Sequence, residues 1–96
     1  MDHVAISFEN RLITSHEVLL SGVQGESVLL NLASERYFGL DEIGTRMLTA
    51  LTSSPSIQAA YETLLSEFEV DAEVLRRDLI ILMDKLIAQG LVEIAS

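Results

Sequence analysis

The sequence predicts an α+β domain in which a three-stranded antiparallel sheet comes first, three helices follow, and a short strand closes the chain. Two extended apolar segments flank a polar turn between Glu26 and Leu40; beyond Asp41 the apolar spacing changes to threes and fours; and each helical stretch opens on Asp or Ser. The chain has 96 residues, 49% of them hydrophobic, with a formal charge of -9. That size suits one domain over residues 1–96 with a single modest core, and the apolar content argues against disorder.

Val4 to Phe8 is a candidate first extended piece, whereas Asn10 to His16 has no clear period and reads as a loop. Val18 to Val23 is a better strand. Gln24-Gly25 then turns the chain into Glu26–Leu32, with the glycine supplying the positive backbone angle that a tight hairpin requires. Ala33-Ser34-Glu35 is a second turn, and Arg36-Tyr37-Phe38-Gly39-Leu40 is the strand that ends the meander at Asp41. Alternation places Phe38 with Arg36 and Leu40 on one face, Phe38 toward the core, and leaves Tyr37 and Gly39 on the other. A glycine within a strand commonly marks only a bulge or a close approach.

Asp41 caps the first helix, with Glu42 near its positive end and Ile43, Met47, Ala50 and Leu51 as its apolar spacing. Thr52-Ser53-Ser54 ends it. Pro55, the single proline, stands at the entrance of a second helix capped by Ser54 or Ser56, whose stripe is Ile57, Tyr61, Leu64, Leu65 and Phe68. Asp71 caps the third and longest helix, Val70 staples onto Leu75 across that cap, and Gly90 ends the helix in a left-handed conformation. Leu75, Leu79, Leu82 and Leu86 form its core stripe, flanked by Ile80, Met83 and Ile87 on one side and by Val74 and Ile81 on the other. This is more apolar surface than one face needs, so one flank either completes the core or lines a groove beside the last strand. Leu91-Val92-Glu93-Ile94 reads as a short returning strand, placed as the wing is in winged-helix folds.

Several classes of function are excluded or disfavoured. With no cysteine, the chain has no disulfide framework, thiolate metal site or cysteine nucleophile. His3 and His16 have no histidine partner at helical spacing and are more often exposed residues than metal ligands, so neither a metal nor a cofactor is expected. The five glycines are not spaced as a phosphate loop, and no serine sits in a nucleophile turn, so the chain is not read as an enzyme. Six scattered basic residues against fifteen acidic ones make nucleic acid a poor partner. The longest apolar runs fall far short of the roughly 20 residues that cross a bilayer, and no secretion leader opens the chain, which points to a cytoplasmic protein without membrane contact.

The run Ser27-Val28-Leu29-Leu30-Asn31-Leu32, then Arg36-Tyr37-Phe38-Gly39-Leu40-Asp41 with Gly44 three positions on, and finally Asp78, Leu82, Leu86 and Gly90-Leu91, resembles the PqqD family. The match spans roughly Val18 to Ile94 and keeps the order and spacing of the family pattern. The resemblance implies a winged helix-turn-helix-like domain that recognises ribosomally made, post-translationally modified peptides. In such proteins the leader of a precursor peptide adds as a strand to the third sheet strand and packs against the third helix. Standalone members resemble the small partners of lasso-peptide maturation, which present the precursor to a separate leader peptidase; others serve radical-SAM enzymes. Carried over by position, the peptide-binding residues are Arg36, Tyr37, Phe38, Gly39 and Leu40 on the strand and Leu75, Arg76, Leu79, Ile80 and Met83 on the helix. Asp41 stands where the family often has Asn, which preserves capping.

The physical reading agrees. An open strand edge gives register-fixing backbone bonds that read no side chain, so discrimination comes from the wall beside it. Arg76-Arg77 is either a solvated pair balanced by Glu73 and Asp78 or an anchor for an acidic leader residue. The charge of -9 favours a basic leader or enzyme, chiefly through faster encounter, although plain solubility explains it as well. The same open edge allows a monomer or a weak homodimer. Two rivals come from other classes. A winged-helix regulator needs basic and amide side chains on an exposed recognition helix, and the third helix is rich in Leu and Ile instead. An acyl-carrier protein needs a modifiable serine at a helix start, which Gly25-Glu26-Ser27-Val28 imitates only inside a strand.

Overall fold

The computed structural model describes residues 6–95. In chain order they form β1 (Arg11–Thr14), β2 (Val18–Val23), β3 (Glu26–Asn31), β4 (Arg36–Leu40), α1 (Glu42–Ser53), α2 (Ile57–Glu67), α3 (Ala72–Ala88) and β5 (Val92–Ala95). The main sheet is antiparallel with order β2-β3-β4, as the meander pattern predicts. A second, two-stranded sheet pairs β1 with β5, Arg11 opposite Ala95 and Thr14 opposite Val92. The result is an α+β fold, to which the winged-helix comparison applies loosely because the closing strand pairs with β1 instead of extending the main sheet.

Both turns of the meander follow their chemistry. Gln24 (φ 54°) and Gly25 (φ 85°) form the two-residue hairpin between Val23 and its partner Glu26. The second turn is longer and is built by Asn31. Its Oδ1 accepts from the Ala33 amide at 2.9 Å and the Ser34 amide at 3.3 Å, while Glu35 takes the left-handed angle (φ 62°). Asn31 Nδ2 also donates to the Gln89 carbonyl at 3.2 Å, tying the turn to the end of α3. Asn31→Ala removes these neutral side-chain hydrogen bonds at a partly exposed site and is expected to lower stability by about 1–2 kcal/mol, read from urea unfolding.

The helices begin where the sequence places them. Asp41 accepts from the Gly44 amide, Ser56 from the Ala59 amide and Asp71 from the Glu73 amide. Ser56 is therefore the second cap, and Pro55 precedes it instead of lying in the first turn. The segment before β1 completes that helix start: the Ile57 and Gln58 amides donate to the Asn10 and Phe8 carbonyls at 2.7 and 2.8 Å. Gly90 (φ 70°) ends α3. Leu29, Leu48, Leu51, Leu64, Leu79 and Leu86 centre the core, where α1 packs on β3 and β4 and α2 packs on α3. Ser27, a buried polar residue, shares a 2.7 Å hydrogen bond with Thr45.

Two expectations change here. Asn10–His16 is not a loop throughout, because Arg11–Thr14 forms β1; its partner lies at the far end of the chain, and one buried residue, Leu12, is too little to show alternation. Of the candidate first strand, Val4 and Ala5 lie outside the described residues, and Ile6–Phe8 is irregular chain leading into a turn.

Candidate functional site

β4 pairs with β3 on one side, Leu29 opposite Phe38 and Ser27 opposite Leu40; among the described residues nothing pairs with its other side. The backbone groups on that side form a template for an added strand. A groove of about 440 Å³ runs along it, walled by Phe38, Gly39, Leu40 and Asp41, by Gly44 of α1, and by Asp78, Ile81, Leu82 and Lys85 of α3. β2 also has an unpaired edge among the described residues, but it is exposed from Leu19 through Val23 and so has no wall beside it.

The strand residues stand as alternation predicts. Phe38 is half-buried against the core and Leu40 is buried, whereas Tyr37 is 77% exposed on the opposite face. Arg36 is exposed on the Phe38 face at the far end of β4. No neighbour lies within 4 Å of a Cβ built on Gly39, so the backbone there stands open to both sheet face and groove. Tyr37, Leu30 and Leu19 are cross-strand partners, so they form an apolar row on the outer face of the sheet with Val28 beside them.

The helix residues expected from the sequence do not form the wall. Leu75, Leu79 and Met83 are at most 1% exposed and belong to the core, and Ile80 packs against that core. Arg76 is exposed but turned elsewhere, its guanidinium 4.3 Å from the centre of the Phe8 ring, which meets Tyr61 edge-on. The wall is the opposite flank of α3, from Asp78 through Ile81 and Leu82 to Lys85. The buried stripe runs Leu75, Leu79, Met83, Leu86, so Leu82 falls off the core line and faces the groove side. Helical periodicity locates a stripe but not the side on which the sheet lies. The sequence signal was the apolar excess of α3, which left Ile81 off the core stripe; the structure leaves it 45% exposed beside the groove.

Past Asp78 lies a second cleft of about 440 Å³, lined by Ile43 and Met47 of α1, by Phe68, Glu69 and Val70 between α2 and α3, and by Leu75. Val70 and Leu75 share this wall, consistent with a staple across the Asp71 cap. Glu67 at its rim is bound by both ends of the Arg46 guanidinium, Nε donating to Oε1 at 2.8 Å and Nη2 to Oε2. This hydrogen-bonded pairing holds the Glu67 carboxyl below its ordinary range and raises Arg46. The carboxylate pKa is lowered on folding, so the pair's small contribution is present at neutral pH and is lost as the pH falls through that lowered value.

The geometry defines the class first: a small α+β domain in which the final strand of the main sheet, β4, is left open among the described residues beside one flank of α3. The family model described as coenzyme PQQ synthesis protein D (PqqD) matches residues 26–92, and the chain belongs to that family. Two solved structures share the fold. The chain is 30% identical to one described as "TbiB1 in Complex with the TbiA(beta) Leader Peptide", with a TM-score of 0.79 over 84% of this chain and 94% of that one. It is 23% identical to one described as "Lasso peptide synthetase B1 complexed with the leader peptide", with a TM-score of 0.77 over 86% and 98%. No curated protein matches the chain. No helix of the described residues is long and apolar enough to cross a membrane.

Proposed function

We propose that this chain is a non-catalytic recognition element that binds the leader segment of a ribosomally made precursor peptide and presents it to a separate maturation enzyme. The observation that carries the reading is the unpaired edge of β4 beside the Ile81–Leu82 flank of α3. The described N-terminal segment does not fill that edge, since β1 pairs with β5. The similar TbiB1 structure holds a leader peptide, which supports the same class of ligand here. Between enzymes, the resemblance of standalone members to lasso-maturation partners favours a lasso-type leader peptidase over a radical-SAM enzyme.

The strand supplies affinity and register through backbone bonds, and the wall supplies discrimination. Arg36 to Leu40 keep their proposed roles. On α3 the contacts pass to Asp78, Ile81, Leu82 and Lys85, because Leu75, Leu79 and Met83 are inaccessible. The test is a titration of 15N-labelled protein with the synthetic leader of a precursor whose reading frame neighbours its coding sequence. Amide shifts are expected at Arg36 to Leu40 and along 78–85. Shifts confined to α2, with β4 silent, would refute the site.

A further inference from the structure

The groove is electrically polarised along its length. β4 and α3 run in opposite directions: Asn31, the cross-strand partner of Arg36, bonds to Gln89 just past the end of α3, whereas Leu40 and Asp41 line the groove together with Asp78. Lys85 therefore marks one end of the lining, with Arg36 just beyond it on the Phe38 face of β4, and Asp41 and Asp78 mark the other. Glu69 extends the acidic end into the second cleft. Between them the wall is apolar, with Phe38, Leu40, Ile81 and Leu82.

Asp78 and Lys85 are exposed, and neither makes a side-chain hydrogen bond or ion pair with another described residue. They sit seven residues apart on one helix, about 10 Å along its axis. An extended peptide covers that distance in about three to four residues.

Resting on the strand-addition reading above, we propose that this groove selects a charge-sided peptide. It takes a Lys or Arg over Asp78 and Asp41, apolar residues against Ile81 and Leu82, and an Asp or Glu about three to four residues away over Lys85 and Arg36. Backbone ladder bonds tolerate a two-residue slip, which returns every side chain to the same face. Opposite charges at the two ends penalise that slip and also penalise a reversed peptide. In the antiparallel arrangement, the more stable ladder, the cationic residue lies on the N-terminal side of the apolar ones. A uniformly acidic surface would select cations throughout and set no register. The polarity of the groove, not the net charge of the domain, is thus what reads the leader.

The experiment selects phage-displayed random peptides on the wild-type protein and on the Asp78→Lys/Lys85→Glu double variant, both exposed positions whose exchange leaves the core untouched. Wild type is expected to enrich a basic and an acidic residue flanking an apolar pair in one fixed order, and the double variant to enrich the reverse order. A synthetic peptide of the wild-type consensus should bind the double variant several-fold more weakly, a loss that raised salt diminishes. Peptides that shift the amides of Arg36 to Leu40 but show no charge order, or the same order on both proteins, overturn the charge rule and leave strand addition standing. Enriched peptides that leave β4 unshifted, or no enrichment at all, overturn both.

Discussion

Leu79→Ala is expected to destabilise the domain by about 3 kcal/mol and to lower its melting temperature by more than about 10 °C. Leu79 is 0% exposed in the centre of α3 and packs in the core with Leu75, Met83 and Leu86. Deleting most of its side chain leaves a void that close-packed neighbours fill only in part, so the loss combines transfer and cavity terms. That loss is large against the total stability of a domain of this size, typically several kcal/mol. Calorimetry or urea unfolding reads it directly. A change below about 1 kcal/mol would contradict a core position.

Ile81→Asp should do the reverse. Ile81 is 45% exposed and half a turn from Leu79, so a carboxylate there remains solvated and the melting temperature should move by only a few degrees. Leader binding, however, should weaken about tenfold or more. The substitution removes an apolar contact from the middle of the wall and places an anion where an apolar side chain is to be desolvated. Fluorescence anisotropy with a labelled leader measures this. Unchanged affinity, with a normal melt, would remove α3 from the site. The two variants together separate the two flanks of one helix: one change unfolds without touching the groove, the other disables the groove without unfolding.

Most of the fold was legible because its signals are local. The Gln24-Gly25 hairpin, the Asp41 and Asp71 caps and the Gly90 stop each depend on residues within a few positions of one another, and each stands where the sequence puts it. β1 was illegible for the opposite reason. Four residues with one buried side chain become a strand only because Val92–Ala95 returns to meet them. The strand half of the candidate site follows from alternation, which places Phe38 inward and Tyr37 outward. The helix half does not. Period 3.6 put Leu82 on the stripe and Met83 on its flank, but Met83 is buried and Leu82 lines the groove, because the position of the sheet decides which flank of α3 is covered. The excess of apolar residues on α3 corresponds to the flank that lines the groove, on the side opposite the expected Ile80 and Met83.

The β1–β5 ribbon sets Arg11 opposite Ala95, in a sheet that β4 does not join. Because that pairing joins opposite ends of the described chain, it closes the longest loop of the fold, carries the largest closure entropy, and belongs among the contacts that form late in folding.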